Sequence, residues 1–303
     1  MKSWKIGAIS GLIAGIVLGI VVGETFANIA VSLDLYEPWY IPIITGNYFI
    51  NIPINIFWGI IYGIIYSKVY NIIPRKGIWK GLIYGVFLFF ITVFRIYFYM
   101  IPYGLYMNAA GEYFASFFNW LIWGLVLGIS YEFLSNRYYP TKEKKKIITY
   151  DMKSGILPGA IAGLCGGISA GIFAVIGHVT GYWGIITAGE VVSTIDFWMS
   201  QFGTHILINM IWGTIFGAFF AKVYNLVPGK NVRKGFYYAL IMVFITSIYC
   251  NSWDSTWYAY RGQYETALAS ILSNFLAVGN TIVFGLVLGL LYKKPSKVIE
   301  KGD

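Results

Sequence analysis

Charged residues are scarce in this 303-residue sequence: only 12% are Asp, Glu, Lys or Arg, whereas soluble domains carry about a quarter. Histidine and cysteine are scarcer still, with two of each. Cys165 and Cys250 lie far apart in apolar runs, which is typical of small buried side chains and excludes a C-x-x-C site. His178 and His205, taken with Glu190 and Asp196, match no metal-ligand spacing. We therefore expect no metal and no cofactor.

Several catalytic motifs are also missing. The sequence has no Walker A loop, no G-x-S-x-G, no H-E-x-x-H and no pair of carboxylates inside an apolar run. These absences argue against ATP-driven, hydrolytic and proton-pumping activities. We expect no enzymatic activity, because a membrane enzyme would need at least two acid or base groups converging in one cavity.

Apolar side chains are abundant, at 58% of the residues, and the mean hydropathy is +0.67. A helix needs about 20 apolar residues to cross the hydrocarbon core. The sequence predicts an all-α fold, a polytopic membrane helix bundle with eight transmembrane helices and the lipid bilayer as its partner. The predicted spans are 6–24, 47–69, 78–101, 113–135, 154–178, 199–223, 233–252 and 265–292.

The second half of the chain resembles the first. "NIFWGIIYGIIYSKVYNIIP" at 55–74 returns as "NMIWGTIFGAFFAKVYNLVP" at 209–228, an offset of 154 with ten identical positions. "GLVLG" at 124–128 returns at 285–289. Self-similarity of this kind indicates duplication. We predict two parallel four-helix repeats, related by an axis along the membrane normal because each contains an even number of spans. The predicted segments are repeat 1–140, basic linker 141–153, repeat 154–292 and tail 293–303.

Basic residues indicate the orientation. With eight spans, 20 of the 22 Lys and Arg residues fall on one side, leaving only Arg95 and Arg261. The positive-inside rule then places both termini in the cytoplasm of a cell whose plasma membrane the chain crosses several times. The net charge of +9 is explained by this topology, so a nucleic-acid partner is not expected.

Glycines recur at every fourth position in the predicted spans. Small residues at this spacing let membrane helices approach closely, so helix packing is the leading interpretation, and a smooth track for a solute is the alternative. The predicted packing glycines are Gly7, Gly11, Gly15, Gly19, Gly59, Gly63, Gly155, Gly159, Gly163, Gly167, Gly213 and Gly217.

Polar side chains share one face of spans 2 and 6, which we call the polar ladder. Residues four apart lie on one helical face, and this spacing places Asn51 and Asn55 above one another, and likewise Gln201, His205 and Asn209. The ladder could bond helices together or line a hydrophilic vestibule between the repeats. Pro53 leaves two possibilities, since it could begin the helix, which would make Asn51 a loop residue, or kink it.

Arg95 breaks the pseudo-symmetry, because the matching position is Tyr249. It lies 15 residues beyond Lys80, about 22 Å along a helix. An Arg at that depth needs a carboxylate partner or must snorkel. Either role, or a part in solute binding, is compatible with its position.

Aromatic residues are concentrated in the predicted outer loops. An interfacial girdle explains most of them, and the alternatives are a recess for a sugar-like or cationic ligand and docking of a protein partner. The loops are "YEPWYIP" at 36–42, "YFYMIPYGLY" at 97–106, "GYW" at 181–183 and "WDSTWYAY" at 253–260.

The glycine-rich stretch 55–74, with "KGLIYG" at 80–85 after it, resembles uncharacterised prokaryotic membrane proteins with four glycine-rich spans, here fused in tandem. The resemblance implies the four-span architecture and brings no activity with it. The function we expect is a transporter or channel for a small polar solute. Its site would lie between the repeats in the outer half, lined by Asn51, Asn55, Gln201, His205 and Asn209, with Arg95 as an asymmetric charge. The alternative is a non-catalytic structural or assembly subunit of a membrane complex.

Overall fold

A computed structural model describes residues 2–36, 38, 48–94, 106–138, 150–179, 202–249, 252, 259, 262 and 264–293. These residues form helices and turns without any strand, which confirms the all-α prediction. The α-helices are α1 (Ser3–Ile16), α2 (Thr25–Ser32), α3 (Tyr48–Val69), α4 (Ile78–Phe89), α5 (Tyr106–Tyr138), α6 (Lys153–Val179), α7 (Phe202–Val223), α8 (Asn231–Met242) and α9 (Tyr264–Leu291). Three π-helical segments continue α1, α4 and α8: π1 (Val17–Val22), π2 (Phe90–Phe94) and π3 (Val243–Ile248).

Five of these helical stretches are long and apolar enough to cross a membrane, which is compatible with an integral membrane protein. They are Ser3–Val22, Asn51–Val69, Tyr106–Tyr138, Lys153–Phe173 and Phe202–Val223, while Ile78–Phe94 and Val278–Leu291 are shorter apolar helices. Helices overlap all eight predicted spans, but the count of eight crossings, the duplication and the orientation of the termini stay predictions.

The chain divides into two compact units, Met1–Lys145 and Lys146–Asp303. In the first unit, α1 and α3 run antiparallel with their backbones in contact. Gly7 lies against Gly63, and a Cβ atom built on Gly59 would lie 2.5 Å from the carbonyl oxygen of Gly11. No side chain separates the two helices at these points, so only glycine allows the approach.

Helices α4 and α5 form a second antiparallel pair in the first unit. A Cβ on Gly124 would lie 2.5 Å from the Gly81 carbonyl oxygen, and Gly85 lies against Trp120. The two pairs are joined because α1 also contacts α5. Aromatic rings fill the space between them: Tyr62 lies 5.5 Å from Trp120, measured between ring centroids.

The second unit is built in the same way from α6 with α7 and α8 with α9. A Cβ on Gly213 would lie 2.5 Å from the Gly159 carbonyl oxygen, and Gly235 lies against Gly289. Helix α9 also contacts α6, where the Ser169 hydroxyl and the Asn280 side-chain oxygen are 3.4 Å apart. Each unit is thus two glycine-packed helix pairs held together by side chains.

The antiparallel pairing gathers the basic residues at one end of each unit, which we call the basic end. In the first unit this end contains the start of α1, the loop between α3 and α4, and the end of α5. Its basic residues are Lys2, Lys5, Lys68, Arg75, Lys76, Lys80 and Arg137. The corresponding end of the second unit carries Lys153, Lys222, Lys230, Arg233, Lys234 and Lys293.

Candidate functional site

The polar ladder of the first unit lies on helix α3. The helix begins at Tyr48 with Pro53 inside it, so Asn51 is a helical residue and Pro53 does not mark the start. Asn51 and Asn55 are both half-buried. They lie in the half of α3 that is distant from the basic end.

In the second unit, His205 and Asn209 lie in the half of α7 that is distant from its basic end. The His205 side chain is buried and Asn209 is half-buried. The side-chain amide of Asn209 donates a 2.8 Å hydrogen bond to the carbonyl oxygen of His205, one turn earlier. One donor of this amide is therefore satisfied within its own helix, which lowers the cost of placing it in an apolar environment.

The backbone at Asn55 and at Asn209 lies against the glycine-rich helix of the same unit. A Cβ built on Gly15 would meet the Asn55 carbonyl oxygen, and one built on Gly163 would meet that of Asn209. The Asn209 side chain also contributes to this contact, since its Cβ would lie 3.3 Å from a Cβ on Gly167. The glycine stripe, which looks like a separate feature in the sequence, is thus in contact with the backbone that carries Asn55 and Asn209.

Other predicted site residues lie outside the described part of the chain. Gln201 and Arg95 are among them, as are Glu190 and Asp196. So are most of the four aromatic outer loops, residues 139–149 of the linker region and residues 294–303 of the tail. Within the described residues, no group of three or more His, Cys, Asp or Glu side chains is placed to hold a metal ion.

Each of the segments π2 and π3 contains one threonine that the sequence analysis did not single out. Thr92 and Thr246 are almost fully buried, and their hydroxyls donate to the carbonyl oxygens of Leu88 and Met242, at 2.5 and 2.6 Å. Their signal was present in the sequence, because "FIT" occurs at 90–92 and again at 244–246 with the same offset of 154. A hydroxyl bonded four residues back opens or bends a helical turn, so these residues belong to the departure from α-helical winding.

A buried lysine was also missed at each basic end. Lys80 donates a 2.5 Å hydrogen bond to the carbonyl oxygen of Tyr70 and lies 4.2 Å from the centroid of its ring. Lys234 donates 2.5 Å bonds to the carbonyl oxygens of Tyr224 and Val227 and lies 4.4 Å from the Tyr224 ring. Each ammonium group thus holds the loop that precedes its own helix, through hydrogen bonds and a cation–π contact.

Tyrosines surround the buried lysine of the first unit. The rings of Tyr66 and Tyr131 are 5.0 Å apart, and those of Tyr70 and Tyr131 are 4.8 Å apart. Burial, with the Glu132 carboxylate as a second cause, raises the pKa of the Tyr70 phenol. In the second unit, the Tyr292 hydroxyl lies 3.1 Å from the hydroxyl of Ser154.

Two regions of each unit are consequently candidates for function. The basic end is closely packed, and its buried lysines are bonded to backbone carbonyl oxygens, which is a structural arrangement. The opposite half carries the ladder amides and the π-helical segments. Comparisons with protein-family models, with curated proteins and with solved structures find no match for this chain.

Proposed function

We propose that the protein is a multi-pass protein of the cell membrane, with both termini in the cytoplasm, that carries a small polar solute across the bilayer. The half-buried amides of Asn51, Asn55 and Asn209 support this proposal best. They lie in helices that are otherwise apolar, where a polar side chain is costly unless it bonds to protein, water or a solute.

The chemistry of these groups favours an uncharged solute. A primary amide offers two donors and one acceptor, and the imidazole of His205 adds one of each when neutral. Polyols and urea-like molecules present matching groups. Arg95 and Gln201 complete the proposed set from the sequence.

Proteoliposomes test this function directly. The purified protein is reconstituted, and swelling after an osmotic step is followed by light scattering with glycerol and urea as solutes. We expect faster swelling than in empty liposomes, and a return to the empty-liposome rate in Asn55→Leu/Asn209→Leu. The control Asn71→Leu/Asn225→Leu makes the same change in the exposed loops of the basic ends and should leave the rate unchanged.

Two outcomes would contradict the proposal. Wild-type liposomes that swell no faster than empty ones would argue against transport of uncharged solutes. Unchanged transport in a well-folded Asn55/Asn209 double variant would remove the ladder from the site.

A structural or assembly subunit is the second candidate, and the Asn209 hydrogen bond to His205 favours it. An amide whose donor is used within its own helix, beside a glycine contact, behaves as a packing group. Native mass spectrometry of the protein extracted in mild detergent separates the candidates. A stoichiometric protein partner supports the subunit, whereas a monodisperse chain with solute permeability supports the transporter.

A further inference from the structure

The segments π2 and π3 terminate two helices of equal length. Helices α4 and α8 each have 12 residues before the winding changes from α to π. π-Helical turns are rare, and they occur mostly as short insertions that are frequently at functional sites. Their occurrence at corresponding points of two units therefore calls for a physical explanation.

Hydroxyl groups hold the backbone at these segments. Thr92 and Thr246 each donate to the carbonyl oxygen four residues earlier, in the last turn of the α-helical part. In the first unit a second hydroxyl comes from α5, where Tyr113 donates a 3.2 Å hydrogen bond to the carbonyl oxygen of Phe94, the last residue of π2. The Tyr113 ring also stacks on the Phe94 ring, with centroids 4.8 Å apart.

The threonine bond alone does not impose π-helical winding. Thr214 makes the same kind of bond, at 2.8 Å, to the carbonyl oxygen of Met210, yet the chain around it remains α-helical. At Thr92 and Thr246 the same kind of bond accompanies π-helical winding instead.

We propose that π2 and π3 are winding switches, in which the hydroxyls of Thr92 and Thr246 hold the wide π-helical turn and their release lets the segment rewind as an α-helix. Rewinding shifts the register by one residue, which rotates the chain beyond the segment by about 100° and moves it by about 1.5 Å. The inference goes beyond solute transport and does not depend on it.

Hydrogen–deuterium exchange of the full-length protein in detergent micelles tests the switch. In Thr92→Val and Thr246→Val the hydroxyl is lost while shape is kept, so the turn should rewind and close the regular hydrogen-bond ladder. We expect about tenfold slower exchange in peptides covering 86–94 and 240–248 respectively, since amide exchange reports local opening. Tyr113→Phe should slow exchange at 86–94 alone.

The control Thr214→Val removes the matching bond from an α-helical segment and should leave exchange unchanged. Thr92→Ser and Thr246→Ser keep the hydroxyl and should behave like the wild type, which guards against variants that merely fold poorly. Unchanged exchange in the valine variants would overturn the proposal. So would faster exchange there, because the hydroxyl would then only stabilise the existing helix.

Discussion

The basic ends of the two units share their backbone contacts and differ in their side chains. Tyr84 and Tyr238 each donate to a carbonyl oxygen 22 residues earlier, at 3.2 and 2.9 Å. Tyr66 of the first unit, however, corresponds to Phe220 of the second, and both are fully buried. Glu132, by the "GLVLG" offset of 161, corresponds to Lys293.

The difference shows which interactions such an end requires. Bonds from a side chain to a loop or helix carbonyl recur in both units, because an unpaired carbonyl in an apolar environment is costly. Ring packing recurs with either Tyr or Phe, since the rings of Tyr66 and Tyr84 are 5.2 Å apart and those of Phe220 and Tyr238 are 5.0 Å apart. The side-chain bonds to backbone carbonyl oxygens are thus the interactions that the two basic ends share. The Tyr66 hydroxyl is not needed for ring packing, because Phe220 packs in the same way without one.

The glycine contacts should be the most sensitive part of both units. Gly59→Val and Gly213→Val insert a branched side chain where even a Cβ would lie 2.5 Å from a backbone oxygen. The two helices of the pair must then separate. We expect this to destabilise the unit by more than ordinary overpacking, which costs about 1–3 kcal/mol. We expect loss of monodisperse protein by fluorescence-detected size exclusion. Gly203→Val is the control, because no atom of the described residues lies within 4 Å of a Cβ there. Equal behaviour of Gly203→Val and Gly213→Val would refute the assignment.

Substitution of the buried lysines should have the second-largest effect on stability. Lys234→Met leaves the carbonyl oxygens of Tyr224 and Val227 without this donor, and we expect about 2–3 kcal/mol of destabilisation in denaturant unfolding in mixed micelles. Lys80→Met should behave similarly in the first unit. Lys230→Met changes an exposed neighbour and should cost little. If Lys230→Met and Lys234→Met were equally stable, the loop contact would not contribute.

Removal of the Tyr66 hydroxyl should give the smallest change in the free energy of unfolding, and the sign of that change is the most informative. The hydroxyl is buried without a hydrogen-bond partner among the described residues. Tyr66→Phe should therefore be neutral or stabilising by up to about 1 kcal/mol, whereas Phe220→Tyr should cost about 1–2 kcal/mol. Tyr84→Phe, which removes a bonded hydroxyl, is the matched control and should cost about 1 kcal/mol in the same unfolding measurement. A marked destabilisation by Tyr66→Phe would mean that this hydroxyl has a partner in the membrane-embedded protein.

The sequence predicts the all-α fold, because long apolar runs and a four-residue spacing are local properties of a helix. It does not predict that the backbone at Asn55 and Asn209 contacts the glycine-rich helix of the same unit, because the residue spacing along one helix does not identify the neighbouring helix. Lys80 and Lys234 illustrate the same limit. As charges near a membrane interface they indicate a side, and only the folded loops around Tyr70 and Tyr224 show that they are internal.

On the proposed topology, the buried lysines would make orientation something that folding itself protects. During insertion, Lys80 and Lys234 would be two positive charges among many that determine which way a hairpin enters. In the folded unit, each ammonium group is bonded to the loop that precedes its helix. Inverting a hairpin would then require breaking those bonds as well as moving the charge through lipid. Orientation, once chosen, would become part of the free energy of the folded unit.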